Sequence, residues 1–380
     1  MRNETPVRRV AAEPPGLYVH VPFCKTKCPY CGFYSVTDPS LAPRWIEAVV
    51  KEAAFYAEAF PPFDSLFLGG GTPGCLDARQ LEALVAGLVD HLSVTKDAEV
   101  TCEVNPDDVT RETMPFLRSL GVNRLSIGVQ SFDDRELTFL GRRHSARQAR
   151  SAVEYGREAG FENISLDLIY GFPGHDVAAW RRTLEAALAL EPTHLSCYQM
   201  TFEAGTPFDK LRRDGALKPV DEEEERRLFL STARVLDGSR YQQYEVSNFA
   251  RFKRLRCRHN MKYWNHTPYL GLGPAAHSFL GGRRWWNVRS VEGYCSMIAE
   301  GRRPVDGSED LTMEQMHLER LFLGLRTKAG VSLDAVSSDP SFSRSVDRLV
   351  GQGLVKVRNN AIVPTRKGLL FADRLPLLLS

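Results

Sequence analysis

Long apolar runs are missing from this 380-residue sequence; none approaches the roughly 18 residues that a membrane-spanning helix needs. A strong charge of either sign is missing too. Forty-nine Lys and Arg against 47 Asp and Glu leave a net charge of +2, so no global field favours nucleic acid or an anionic membrane. Residues 1–15 are polar and contain proline, without the apolar stretch of a secretory leader, and are expected to be a disordered tail on a cytoplasmic protein. A disulfide framework has little support: Cys75, Cys102, Cys197, Cys257 and Cys295 are scattered singly along a chain with no secretory signal. No repeat of fixed period is present beyond a strand–helix alternation.

What is present is ordinary globular composition, 43% hydrophobic and 25% charged, enough for one large domain and one small one. Short apolar runs at 17–21, 65–68, 99–104, 124–130, 164–170 and 194–200 read as strands. Amphipathic stretches at 41–60, 77–91, 110–120, 146–159, 177–190 and 221–236 read as helices. Six βα units in a row predict a parallel sheet under helices, buried on both faces, over residues 16–240. Several strands end in polar or glycine residues, as they do where a barrel carries its site at the C-terminal rim. Residues 241–305 are aromatic- and arginine-rich with weak periodicity and read as a connecting region. Residues 306–380 read as helix, helix and a hairpin turning at Asn359-Asn360, a small α+β unit resembling a winged helix. Its second helix offers mainly Arg and Ser, so a lid or docking face is expected there and nucleic acid is not.

The remaining three cysteines, Cys24, Cys28 and Cys31, share one short loop after the first strand. Three thiolates so placed can ligate three irons of a cubane and leave the fourth open. A zinc site completed by His20 or a distant cysteine is the alternative at this point. Gly69-Gly70-Gly71-Thr72-Pro73 closes the second strand, where glycines admit a ligand to the backbone. Glu103, Gln130 and Asp167 are polar residues in or beside apolar strands, costly unless partnered, either by a cationic ligand with hydroxyls or by an arginine such as Arg124 or Arg142.

The cysteine run, Gly-Gly-Gly-Thr-Pro, Glu103-Val-Asn-Pro, Ser126-Ile-Gly-Val-Gln130 and Asp167-Leu-Ile-Tyr-Gly-Phe-Pro together resemble the radical S-adenosylmethionine superfamily, in its HemN/HemW branch. The resemblance implies an α/β fold, a partial TIM-like barrel of about six βα units, with a winged-helix-like C-terminal domain. It implies a [4Fe–4S] cluster on Cys24, Cys28 and Cys31. It also implies S-adenosylmethionine held by Tyr18, Tyr30, Gly70, Gly71, Thr72, Glu103, Gln130, Arg142, Asp167 and Thr201. In such proteins the cluster can pass an electron to the sulfonium and release a 5′-deoxyadenosyl radical.

Within the branch, the oxygen-independent coproporphyrinogen III oxidase has a fourth cysteine two residues after the third; Phe33 stands there in this chain. The oxidase also has a longer segment before the position of Tyr18. The Cys-x3-Cys-x2-Cys-x-Phe pattern and His259-Asn260-x-x-Tyr263-Trp264 instead resemble the HemW family of heme chaperones. That likeness implies heme as cargo, an acceptor protein, and a flavodoxin- or ferredoxin-like electron donor if the sulfonium is cleaved. His259 is the preferred axial ligand, with Asn260, Tyr263 and Trp264 around it; His266, His277 and Cys257 are further candidates, and Arg251, Arg254, Arg256 and Arg258 are candidate propionate partners.

Overall fold

The computed structural model describes residues 13–336 and 340–379. Most of the expected tail lies outside them. The last of its residues are anchored instead, with Glu13 accepting hydrogen bonds from Thr267 and Asn265.

Six strands run parallel in chain order: β1 (Gly16–Val21), β2 (Phe63–Gly70), β3 (Val94–Val104), β4 (Arg124–Gln130), β5 (Asn163–Tyr170) and β6 (His194–Gln199). Helices Ala42–Ala54, Ala78–His91, Thr113–Ser119, Ala146–Glu158 and Val177–Ala189 join them, and Glu222–Gly238 follows the last. Local chemistry sets several helix starts. Asp77 with Gln80, and Ser145 with Gln148, form reciprocal capping boxes that satisfy backbone N–H groups before the first turn closes. The first helix stops at Ala54, short of the expected 60, and the chain turns before Pro61 and Pro62.

The strands are not apolar on both faces. Leu17, Val19 and Val21 of β1, Leu125 and Ile127 of β4, and Leu166 and Leu168 of β5 join the apolar core against the helices. The alternate residues Tyr18, His20, Glu103, Arg124, Ser126, Asp167 and Ser196 face an internal cavity.

The stretch expected to be a connector is mostly sheet. β7 (Gln242–Gln243) and β8 (Asn248–Ala250) extend the β6 edge antiparallel. At the other edge β9 (Tyr269–Leu272) runs parallel to β1, and β10 (His277–Leu280), β11 (Arg283–Asn287) and β12 (Val305–Asp310) continue antiparallel. Among the described residues, twelve strands form one sheet ordered β12-β11-β10-β9-β1-β2-β3-β4-β5-β6-β8-β7, an incomplete barrel whose two edges are not hydrogen-bonded to each other. Strands of two to six residues rich in Arg, Trp and Gln carry no readable period, which is why the sequence hid them.

Helix Arg258–Trp264, which holds the His-Asn-x-x-Tyr-Trp run, closes the barrel at the N-terminal ends of its strands. Arg258 donates to the carbonyls of Asp64 (3.2 Å) and Asp97 (3.0 Å), its N–H donates to Glu99 (2.7 Å), and Lys262 pairs with Asp64 at 2.9 Å.

The C-terminal unit contains helices Met313–Gly324 and Pro340–Gly351. Its sheet of β13 (Val331–Ser332), β14 (Val355–Arg358) and β15 (Ala361–Pro364) has the order β13-β15-β14. Asn359 and Asn360, at φ 50° and 57°, turn the hairpin as their residue types foretell. Residues 305–310 belong to the large sheet, so this unit is built from residue 311 onward. It packs beneath the barrel: Glu319 meets His266 and Arg284, Arg326 lies over the Trp264 ring, and Arg366 reaches Asp237. The expected lid role is therefore corrected, because these contacts lie at the base and not at the rim.

One buried carboxylate ties the first helix to the extension. Glu52 accepts from the Gly273 N–H (2.9 Å), Asn287 Nδ2 (2.7 Å) and the Tyr294 hydroxyl, and burial pushes its pKa up to about 7 despite these donors. Glu52→Ala strands three donors, and a loss of about 3 kcal/mol or more is expected. Denaturant titration against wild type measures it; a change under about 1 kcal/mol would contradict this role.

Candidate functional site

Cys24, Cys28 and Cys31 lie at the rim just past β1, all half-buried. The loop is set by Cys24 N–H donating to Val36 O (3.0 Å) and Cys31 N–H to Cys28 O (3.1 Å). Donors surround the sulfurs: the Thr72 hydroxyl is 3.7 Å from Cys24 Sγ and Arg142 Nη1 is 3.4 Å from Cys28 Sγ. Burial pushes the Cys31 thiol up, the Phe33 N–H opposes this, and the neighbouring Cys28 and Cys24 add to the rise. A Cys31 thiol raised by burial and by its two cysteine neighbours fits a positively charged inorganic core, which would stabilise the thiolate form. Among the described residues no three His, Cys, Asp or Glu side chains converge as one metal ion requires, whereas cubane thiolates bind separate irons. His20 is no free fourth ligand for zinc. Its Nε2 lies 2.8 Å from Tyr34 O, and its Nδ1 lies 3.0 Å from the Tyr18 hydroxyl.

Behind this loop the cavity holds about 500 Å³. Glu103 reaches across to the Gly70 N–H at 3.1 Å, and Ser126 donates to both Asp167 oxygens at 3.2 and 2.9 Å. Burial and then the Asp167 charge push Glu103 up to about 8, opposed by the Gly70 N–H and Arg124. Burial raises Asp167 as well, against hydrogen bonds from Ser196 and Ser126. Two carboxyls kept from ionising beside each other fit a ligand that brings positive charge and hydroxyls. Gly70, at φ +101°, makes room for it. A Cβ there would sit 2.3 Å from His20 Nδ1 and 2.9 Å from the Tyr18 hydroxyl.

The structure brings most of the expected cofactor residues to this place, in two groups. Tyr18, Gly70, Glu103 and Asp167 line the cavity. Thr72 and Arg142 line a smaller recess on the cysteine side with Asn105, which sequence reasoning missed; Asn105 donates to Thr72 Oγ1 at 2.8 Å. Arg142 also holds Gly128 O at 2.9 Å, and its buried Nε has no partner among the described residues, leaving a donor for a carboxylate. Gly71 donates to Val21 O behind the cysteines, and Gln130 ends β4 at φ 65° near Gly128. Tyr30 packs on Phe208, where burial raises its hydroxyl pKa, and Thr201 is exposed and donates to Glu203.

His259, Asn260 and Tyr263 form the cavity floor. His259 is 1% exposed and both ring nitrogens are engaged, Nδ1 with Ser65 Oγ (3.2 Å) and Nε2 with Tyr263 OH (2.8 Å). Burial pushes its pKa down to about 3, so the ring is neutral. Trp264 faces the C-terminal unit and Cys257 is fully buried. His266 is paired with Glu319 and stacked on Phe279. The four arginines expected to face propionates lie elsewhere: Arg251, Arg254 and Arg256 cover Tyr241, Phe252 and Tyr244, and Arg258 ties down the floor helix. The rim instead carries Phe33, Tyr34, Tyr198, His277 and Arg289. Phe33 and His277 were singled out in the sequence; Tyr34, Tyr198 and Arg289 carried no signal beyond lying near strand ends.

Two predictions follow from this geometry. Ser in place of Cys24, Cys28 or Cys31 is expected to abolish the visible iron–sulfur band after anaerobic reconstitution, while Cys75→Ser keeps it; loss in the Cys75 variant would break the three-ligand set. An ionised Glu103 is expected to meet the positive charge of S-adenosylmethionine, so affinity should fall as pH drops below about 8. The ligand-free fold has the opposite dependence, because a carboxyl whose folded pKa is raised loses stability as pH climbs from its unfolded value toward about 8. Glu103→Gln should weaken binding by about 1.5–3 kcal/mol, roughly 10- to 100-fold, and raise the thermal midpoint of the ligand-free protein at pH 9. Calorimetry across pH tests both; unchanged affinity would remove Glu103 from the site.

Comparison with known proteins agrees with this architecture. Residues 18–187 match the Radical SAM superfamily model and residues 311–371 the HemN C-terminal domain. The heme chaperone HemW of Bacillus subtilis is 34% identical, with 94% of this chain and 96% of that protein aligned. The heme chaperone HemW of Mycobacterium tuberculosis H37Rv is 34% identical over 95% and 93%. The solved coproporphyrinogen III oxidase HemN of Escherichia coli superposes with a TM-score of 0.83 at 24% identity, covering 98% of this chain and 91% of that one, and so shares the fold. Members of this superfamily hold a [4Fe–4S] cluster and S-adenosylmethionine, the two groups that the rim thiols and the cavity carboxyls fit. With the match running nearly end to end, the chain belongs to the HemW family of radical S-adenosylmethionine proteins.

Proposed function

We propose that this protein is a heme chaperone, taking heme at the cavity mouth and passing it to an acceptor protein. The observation that carries the reading is the division of one cavity into two chemistries. Its interior has the carboxyls of Glu103 and Asp167, and its mouth has the aromatic rings of Phe33, Tyr34 and Tyr198 with the cation of Arg289. A flat apolar macrocycle with acidic edges is complementary to that mouth. The relatives named heme chaperones support it.

The residues of this chain divide the work accordingly. Cys24, Cys28 and Cys31 would hold the cluster. Glu103, Asp167, Ser126 and the Gly70 backbone would fix S-adenosylmethionine against it, with Arg142 offering its free Nε to a carboxylate. When bound, the cluster would be able to supply an electron to the sulfonium; if the sulfonium is cleaved, a flavodoxin- or ferredoxin-like protein would replenish it. No helix in the described residues is long and apolar enough to cross a membrane, in keeping with a cytoplasmic site of action.

Oxidation of coproporphyrinogen III is not part of this reading. Where the oxidase has its additional cysteine, this chain has Phe33, 65% exposed at the mouth, a surface for packing and not for redox or proton transfer. The cluster-loaded protein is expected to bind hemin with a shifted Soret band at micromolar concentration and to leave coproporphyrinogen III unchanged. Decarboxylation at a rate comparable to an authentic oxidase would overturn the assignment.

A further inference from the structure

The heme reading leaves open which atom of this chain meets the iron. An axial bond needs a neutral imidazole whose nitrogen lone pair is free and faces open space. Three imidazoles reach the cavity: His20, His259 and His277. Both nitrogens of His20 are spoken for by Tyr18 and Tyr34, and both of His259 by Ser65 and Tyr263. Using either would break a buried hydrogen bond, and His259 lies on the floor, behind the space that S-adenosylmethionine would fill.

His277 differs in each respect. It opens β10 at the rim and is exposed. Its ring is stacked on the Trp286 indole, with centroids 6.0 Å apart and planes at 29°, and its nitrogens have no hydrogen-bond partner among the described residues. Stacking fixes the plane of the ring while leaving the nitrogens open. Partial burial and the neighbouring Arg284 and Arg289 hold its pKa below the ordinary histidine value, favouring the neutral, ligating form. Phe33, exposed on the cysteine loop, and Tyr198, 41% exposed near the end of β6, supply apolar surface on the same cavity. The Arg289 guanidinium, over the Tyr34 ring at 5.9 Å, is the cation at this mouth.

Resting on the heme reading, we propose that His277 is the axial ligand through which the chain takes an iron porphyrin at the cavity mouth, with Arg289 facing a propionate. The imidazole nitrogen donates its lone pair to the iron in place of water or another labile ligand; no electron leaves the porphyrin and no proton is released. The preference for His259 gives way because its position is a structural one, joining the floor helix to β2.

The test is a hemin titration of the anaerobically reconstituted full chain, followed by visible and EPR spectroscopy, for wild type, His277→Ala, His259→Ala and Arg289→Ala. An intact iron–sulfur band shows that each variant is folded. His277→Ala should lose the imidazole-ligated Soret and spin-state signature, and added free imidazole should restore it. Arg289→Ala should weaken binding with the wild-type spectrum retained. An unchanged spectrum in His277→Ala, or loss confined to His259→Ala, would overturn the ligand while the chaperone reading stands. A wild-type protein showing no hemin-dependent change would overturn both.

Discussion

Across β1 to β6 the side chains alternate between a row that packs on helices and a row that faces an enclosed space, and the site is a consequence of that alternation. Leu166 and Leu168 bury against the outer layer; Asp167 between them has nowhere to point but inward. The same holds for Glu103 between Cys102 and Val104. Inward polar groups cost free energy where they lack a partner, which is visible in the raised pKa values of both carboxyls. The outward apolar rows offset that cost. A fold stabilised on one face of its strands can hold an unfavourable charge pair on the other until a ligand answers it.

Closure of the floor is the second requirement. Arg258, Lys262 and Glu99 bind the helix Arg258–Trp264 to the starts of β2 and β3, and Ser65 holds His259. The motif thus acts first through architecture: His259, Asn260 and Tyr263 are floor, Trp264 is the joint to the C-terminal unit. A sequence motif marks residues that belong together, without saying whether they touch a ligand or support what does.

The parallel strands and their helices were legible because four to eight residues of apolar pattern, followed by Asp77 or Ser145 at a cap, carry their own signal. The cysteines, Gly70, Glu103 and Asp167 were legible because each breaks a local rule. The extension β7 to β12 was not, since its short strands take their register from neighbours far away in sequence. Nor was the placement of the C-terminal unit, which depends on single contacts such as His266 with Glu319 and Arg326 with Trp264. Arg289 lacked any signal of its own, and His277 was one of several candidate imidazoles that only the fold tells apart, by turning it toward the opening.

The sealed floor has a consequence for timing. With helix Arg258–Trp264 fastened beneath the strands, the base offers no passage, and for traffic through the rim whatever occupies the deep part of the cavity arrives first and departs last. A broad, flat molecule resting on Phe33 and Tyr198 would act as a stopper over a smaller one beneath it. Residence of the inner ligand is then governed by departure of the outer one, and delivery of cargo becomes the event that resets the chamber for exchange.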